Sequence, residues 1–246
     1  MPRRRRRAGY TGAVSGTSGQ HGWLGAYAGR FVVFEGPDGS GKSTQFRRLV
    51  GAMGAAGVAC TAVREPGGTH VGEAVRGVLL DNAHAGMSVR CEMLLYMASR
   101  AELVEREIVP ALRAGRVVLA DRYVPSTIAY QGAAGGLPVA DIAAVARAAT
   151  TGLMPDLVLL FDIDADCAAA RLSPLLDRME SKGRAFHRKV RDGYLRQAEA
   201  DPRRFALIDA AEPEEAVWRA VLGALRERIE ELPAVGPLVR RVPPQG

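Results

Sequence analysis

Cysteine and lysine are scarce in this chain, and long apolar runs are missing. The three cysteines, Cys60, Cys91 and Cys167, are widely spaced and form no C-x-x-C pair, which argues against a disulfide framework and a structural zinc site. Unpaired thiols fit a reducing compartment, so a cytoplasmic location is expected. The Arg-rich start also lacks the uninterrupted apolar core of a signal peptide. No stretch approaches the roughly 18 apolar residues of a membrane span, and a membrane protein is not expected. What is present is ordinary for a soluble enzyme: 246 residues, 48% hydrophobic and 24% charged. That length suits one large α/β domain.

Acidic residues are absent before residue 30, whereas Arg3 to Arg7 supply five positive charges. The net charge of +6 therefore falls to +1 over residues 30–246, with 28 basic against 27 acidic side chains. A nearly neutral body argues against a nucleic-acid-binding domain and leaves the N-terminal arginine arm as the one place for weak, non-specific binding. Residues 1–29 are rich in Gly, Ser, Thr and Arg without hydrophobic periodicity and read as a disordered extension, with order expected from about Arg30. The folded domain is expected over 30–232, and the proline-punctuated residues 233–246 read as a loose tail.

Short apolar runs, Phe31 to Glu35, Val58 to Val63, Arg116 to Ala120, Leu157 to Asp162 and Phe205 to Ile208, read as five buried strands. Helical spacing of apolar residues fills Lys42 to Ala56, Thr69 to Leu80, Val89 to Ala114, Val139 to Thr151 and Glu214 to Leu232. Such alternation predicts a parallel sheet covered on both faces.

The first strand runs into Gly36-Pro37-Asp38-Gly39-Ser40-Gly41-Lys42-Ser43-Thr44, a G-x-x-x-x-G-K-S phosphate loop opening a helix. Its glycines allow the backbone to aim N–H groups at phosphate, and the helix N-terminus adds positive potential. Lys42 can reach the β and γ phosphates, and the Ser43 hydroxyl can coordinate Mg²⁺. Lysine here runs against the chain's habit, since 30 of its 33 basic residues are arginine. A compact ammonium suits the position better than a planar guanidinium. The loop makes the fold a three-layer P-loop NTPase, with a short lid.

A GTPase switch would need Asn-Lys-x-Asp, and the one asparagine, Asn82, is followed by alanine. A motor ATPase would need further domains. A small phosphotransferase remains, and the downstream segments Arg64-Glu-Pro-Gly-Gly-Thr69, Glu73-Ala-Val-Arg76, Leu94-Leu-Tyr-Met-Ala-Ser-Arg100, Asp121-Arg-Tyr-Val-Pro-Ser126, Ala129-Tyr-Gln-Gly132 and Asp177-Arg-Met-Glu180 carry a resemblance. With the phosphate loop, they make residues 30 to about 210 resemble thymidylate kinase, which moves the γ-phosphoryl of ATP to dTMP, giving dTDP for dTTP synthesis.

Tyr96 and Arg100 are i and i+4 on one helix, so an aromatic plane and a guanidinium share a face. The resemblance implies that Tyr96 stacks on thymine and Arg100 contacts its carbonyl. It likewise implies that Gln131 reads the pyrimidine edge, that Tyr130, one turn beyond Ser126, packs against the sugar, and that Asp38 holds the 3′-hydroxyl. Asp121 and Arg122 leave the carboxyl edge of a strand, where ligands bind in open α/β sheets. Asp121 is assigned to the metal with Ser43, and Arg122 to the acceptor phosphate with Arg76. Glu65 is expected to orient these arginines or the metal shell.

The acceptor phosphate is ionised at neutral pH, so no histidine base is required. Catalysis should consist of alignment and charge neutralisation by Mg²⁺, Lys42, Arg122 and one mobile arginine. The phosphate loop carries no arginine, and the presumed lid, Arg171-Leu-Ser-Pro-Leu-Leu-Asp-Arg178, is short and apolar. Arg171, Arg178 and Arg184 are the candidates, with Arg178 the first choice. The apolar helix from Val89 suggests a homodimer face, as the resemblance also implies. Two other readings stay open: a kinase for another or modified nucleoside monophosphate, and a nucleotide-binding relative with little catalysis.

Overall fold

The alternating side chains of the central strands divide the core in two. In β1 (Phe31–Glu35), Phe31 and Val33 enter one cluster while Val32 and Phe34 enter the other. The same split occurs in β3 (Val117–Asp121) and β4 (Leu157–Asp162), which flank β1 on either side. These strands are apolar throughout because both faces are covered. The structure, a computed structural model, describes residues 21–172 and 175–231.

Five parallel strands lie in the order β2-β3-β1-β4-β5, with β2 at Cys60–Arg64 and β5 at Phe205–Asp209. On one face, α1 (Lys42–Ala55) presents Gln45, Leu49 and Met53, and α9 (Glu214–Glu231) presents Val217, Val221 and Leu225, each at i, i+4, i+8. The other face is covered by α3 (Val89–Leu103) and α6 (Val139–Thr150). Before α3, α2 spans His70–Leu80, and between α3 and α6 lie α4 (Val109–Arg113) and α5 (Val124–Thr127). A π-turn, Val104–Ile108, joins α3 to α4, and another, Ile128–Ala134, extends α5. The chain then adds α7 (Ala165–Ala170) and α8 (Arg184–Ala200) before β5. The five-stranded α/β architecture and the position of every expected strand and helix are borne out to within a few residues.

Three details differ from expectation. Order begins before Arg30: Gly22–Tyr27 forms a 3₁₀ helix in which Leu24 and Tyr27 are fully buried. Tyr27 donates to the Leu225 carbonyl at 2.7 Å, and Arg226 stacks on Trp23. These anchors are supplied by α9, far along the chain, so no local periodicity announces them. Residues 1–20 and 232–246, including the Arg3 to Arg7 arm and the expected tail, lie outside the described residues.

The second strand starts at Cys60 rather than Val58, because Val58 N–H still donates to Met53 O as part of the turn that ends α1. Finally, α8 is a 17-residue helix missing from the expected elements, although Phe186, Val190 and Tyr194 stand at i, i+4, i+8 among its charged residues. Gly193 is required there: a Cβ would lie 2.5 Å from Ala133 Cβ, and the missing side chain lets α8 settle on the Ile128–Ala134 turn.

Candidate active site

The phosphate loop and the end of β3 meet at the carboxyl edge of the sheet. Gly36 leaves β1 at φ 147°, and a Cβ on it would lie 2.5 Å from the Phe161 carbonyl oxygen. The following turn delivers Gly41 as the cap of α1, with Lys42 as the first residue of that helix and nearly buried. Burial, together with the Arg122 charge, lowers the Lys42 pKa. Ser43 Oγ donates to Asp121 Oδ2 at 2.9 Å, while Asp121 Oδ1 is enclosed and meets no donor among the described residues. A hydroxyl and an orphaned carboxylate oxygen beside a phosphate loop suit a hard, oxygen-seeking dication completed by phosphate oxygens and water. Beside the loop, Ser40, Thr44, Gln45 and the 210–213 turn line a further cavity with Arg171.

A second cavity takes Asp38 of the loop into its wall. Asp38, Glu65, Arg76, Tyr96, Arg122, Ser126, Tyr130 and Gln131 all line it, so eight of the nine residues expected around the acceptor nucleotide are brought together. Arg122 is the hub. Its backbone is left-handed, φ 76°, a conformation that costs a non-glycine residue on the order of 1–3 kcal/mol and is held by surrounding contacts. Its guanidinium donates to Asp38 at 2.5 Å, to Gly36 O at 3.1 Å, to Ser126 Oγ at 3.0 Å and to Tyr194 Oη at 3.0 Å. Burial pushes Asp38 up, but Arg122, Lys42 and the Tyr130 hydroxyl, which donates at 2.7 Å, outweigh it and hold the carboxyl well below the usual range.

Arg100 is the ninth residue, and it does not reach the cavity. It is 1% exposed, and its nitrogens are consumed by Glu65 at 2.6 Å, Thr127 Oγ1 at 3.1 Å and the Tyr123 carbonyl at 3.0 Å. In this structure Arg100 stands behind Glu65 and Thr127, which themselves line the wall. Thr127 went unread in the sequence, although it follows Ser126 directly.

Arg178 also departs from expectation. It is 3% exposed, donates to Leu79 O at 2.6 Å and pairs with buried Glu92 at 2.5 Å. The side chain is thus tied at two points in this structure, where a mobile one was expected. Arg171 is likewise occupied, donating to the Ala210 carbonyl at 2.7 Å. Arg184, by contrast, is exposed, paired only with Asp166 at 3.3 Å among the described residues, and lines the cavity above Pro37 and Asp38.

Two positioning groups escaped the sequence reading. Glu35, fully buried at the end of β1, accepts from Ser126 Oγ at 2.6 Å, Tyr123 N at 2.8 Å and Tyr194 Oη at 2.9 Å. Burial raises its pKa against the pull of Arg122 and these donors. A charge closing an apolar strand was the available signal for Glu35. For Tyr194 the signal was its place on one helix face with Phe186 and Val190, at i, i+4, i+8.

A phosphoryl group passed between two bound nucleotides needs a wall that both share, and Asp38 and Arg122 supply one between the phosphate loop and the second cavity. That arrangement on this fold defines a P-loop nucleoside monophosphate kinase. The family model described as thymidylate kinase matches residues 34–221. The chain belongs to the thymidylate kinase family. It is 45% identical over 203 residues to a thymidylate kinase of Symbiobacterium thermophilum, covering 82% of this chain and 93% of the relative. A thymidylate kinase of Deinococcus radiodurans is 45% identical over 204 residues, 81% of this chain and 98% of its own length. One from Pelotomaculum thermopropionicum is 42% identical over 205 residues, 82% and 95%. No helix among the described residues is long and apolar enough to cross a membrane.

Proposed function

We propose that the chain performs its family's reaction with the site described above. It transfers the γ-phosphoryl of ATP to dTMP, giving dTDP and ADP. Main-chain amides of Gly36 to Thr44 and the front of α1 cradle the ATP phosphates, with Lys42 on the β and γ groups. Arg122 and Arg76 hold the acceptor phosphate, Tyr96 packs on the thymine ring, and Gln131 reads its edge. Asp38 takes the 3′-hydroxyl, with Tyr130 closing against the sugar.

Ser43 and Asp121 would hold Mg²⁺ together with ATP. When bound, that ion supplies neutralisation of phosphate charge. The residues' own work is alignment: Arg122 fixes the attacking oxygen, and Lys42 offsets charge on the transferring group. No side chain needs to take a proton, because the nucleophile is already ionised. Arg184 is the arginine we assign to the lid, since it is the exposed one above the phosphate loop.

The single observation that carries this reading is the Asp38–Arg122 contact, which joins the phosphate loop to the acceptor cavity. It is tested by measuring ADP release with dTMP, dUMP, dCMP and dGMP as acceptors. A clear preference for dTMP supports the reading, and preference for another acceptor replaces it. ATP and dTMP binding without ADP release would identify a non-catalytic relative.

A homodimer through α2 and α3 is supported by Val71, Val78 and Leu94, large apolar side chains left exposed there. Sedimentation tests it. Three free cysteines, two of them exposed, favour a reducing, cytoplasmic setting.

A further inference from the structure

Glu92 on α3 has no exposed surface, yet phosphoryl transfer does not require a carboxylate there. It accepts from Arg178 at 2.5 Å, from Lys182 at 2.8 and 3.0 Å, and from the side-chain amide of Gln131 at 2.8 Å. Burial pushes the Glu92 carboxyl up, but the Lys182, Gln131 and Arg178 hydrogen bonds outweigh it and keep the group ionised. An ionised carboxylate can only accept. The Gln131 amide is therefore held in one orientation, its NH₂ toward Glu92 and its carbonyl oxygen turned away. Gln131 lines the acceptor cavity, and its Oε1 meets no donor among the described residues. At that point the wall offers a hydrogen-bond acceptor. An amide rotated by half a turn would have the same shape and offer a donor.

We propose that Glu92 is a specificity-determining positioning residue: by fixing the Gln131 amide, it gives the base pocket an acceptor that suits a pyrimidine with N–H at position 3 and opposes a cytosine ring. Thymine and uracil carry that N–H, whereas the N3 of cytosine is itself an acceptor, and two acceptors facing each other in a dry site are both left unpaired. The inference rests on the cavity taking the base of dTMP. It also gives Arg178 and Lys182 a purpose: the first ends the presumed lid, the second follows it, and their charges allow Glu92 to stay ionised while buried.

The test compares dTMP with 5-methyl-dCMP, which share the methyl group and sugar and differ along the 3,4 edge. Glu92→Gln keeps shape and an acceptor oxygen for Arg178 and Lys182, but adds a donor that frees the Gln131 amide to turn. The kcat/KM ratio of dTMP over 5-methyl-dCMP should fall about tenfold in Glu92→Gln, with KM for ATP unchanged. Adding Glu92→Gln to Gln131→Met should change the ratio no further. A ratio that stays near the native one, or an equal fall when Gln131→Met is already present, overturns the inference.

Should Glu92→Gln fail to fold, the native enzyme decides by NMR with ¹⁵N-labelled dTMP. A bound N3 imino proton protected from exchange and coupled to the Gln131 side-chain carbonyl supports the proposal. An unprotected proton, or one bonded elsewhere, overturns it. Native enzyme active on dTMP with an unmoved ratio defeats this inference alone; native enzyme inactive on dTMP removes the functional reading with it.

Discussion

Arg122 and Asp38 meet at 2.5 Å, and this contact joins the phosphate loop to the acceptor cavity. The carboxylate belongs to the loop after β1 and the guanidinium to the end of β3, 84 residues later. Because Arg122 also bonds Gly36 O, Ser126 and Tyr194, removing it strips the shared wall of its only described guanidinium bridge. Arg122→Ala should lower kcat/KM for dTMP on the order of 100-fold by steady-state assay, since the acceptor phosphate loses a charged hydrogen-bond donor, a contact of about 1.5–3 kcal/mol. A loss of less than about fivefold would remove Arg122 from acceptor binding.

Arg178 and Arg184 should separate stability from rate. Arg178→Ala leaves Glu92 short of a buried cation and should reduce unfolding free energy by about 3–5 kcal/mol in denaturant titration. Arg184→Ala should leave the unfolding midpoint unchanged and lower kcat by a factor on the order of 10³ without a matching rise in the KM for dTMP. The reverse pattern would return the lid role to Arg178.

Tyr130 donates to Asp38 at 2.7 Å and packs where the sugar is expected. Tyr130→Ala should raise activity on the ribonucleotide form of the substrate relative to dTMP, measured as a kcat/KM ratio. An unchanged ratio would exclude Tyr130 from sugar selection.

Glu65 makes stability depend on pH. Burial pushes its pKa up to about 7 against the attraction of Arg100, while the unfolded chain ionises near the ordinary 4.5. Between these values the folded state binds the extra proton, so stability falls as pH rises from about 4.5 to 7 and levels above that. Glu65→Gln should flatten that slope, which amounts to about 3 kcal/mol for a shift of this size. Melting curves across the window check it, and an identical slope in the variant would contradict the assignment.

Much of the fold was legible because buried parallel strands and amphipathic helices leave strong local patterns, as in Phe31–Glu35 and in Leu49 and Met53 of α1. What stayed hidden depends on distant partners. Trp23, Leu24 and Tyr27 are ordered by α9, and the stripe of α8, Phe186, Val190 and Tyr194, is narrow and set among charged residues. The site divided in the same way. Residue types at the sheet edge were readable, since loops there carry recognisable segments. Whether an arginine faces a cavity or backs its wall was not, because Arg100 and Arg178 are turned inward by Glu65 and Glu92, two carboxylates from other elements.

Donor and acceptor functions are divided between the phosphate loop and the cavity that Asp38 and Arg122 join to it. Calorimetric dTMP binding and ATP-dependent turnover, measured together on Lys42→Ala, test that division most directly. The account predicts turnover reduced to background with dTMP affinity within a few-fold of native. Turnover retained without Lys42, or dTMP binding lost along with it, would contradict the account.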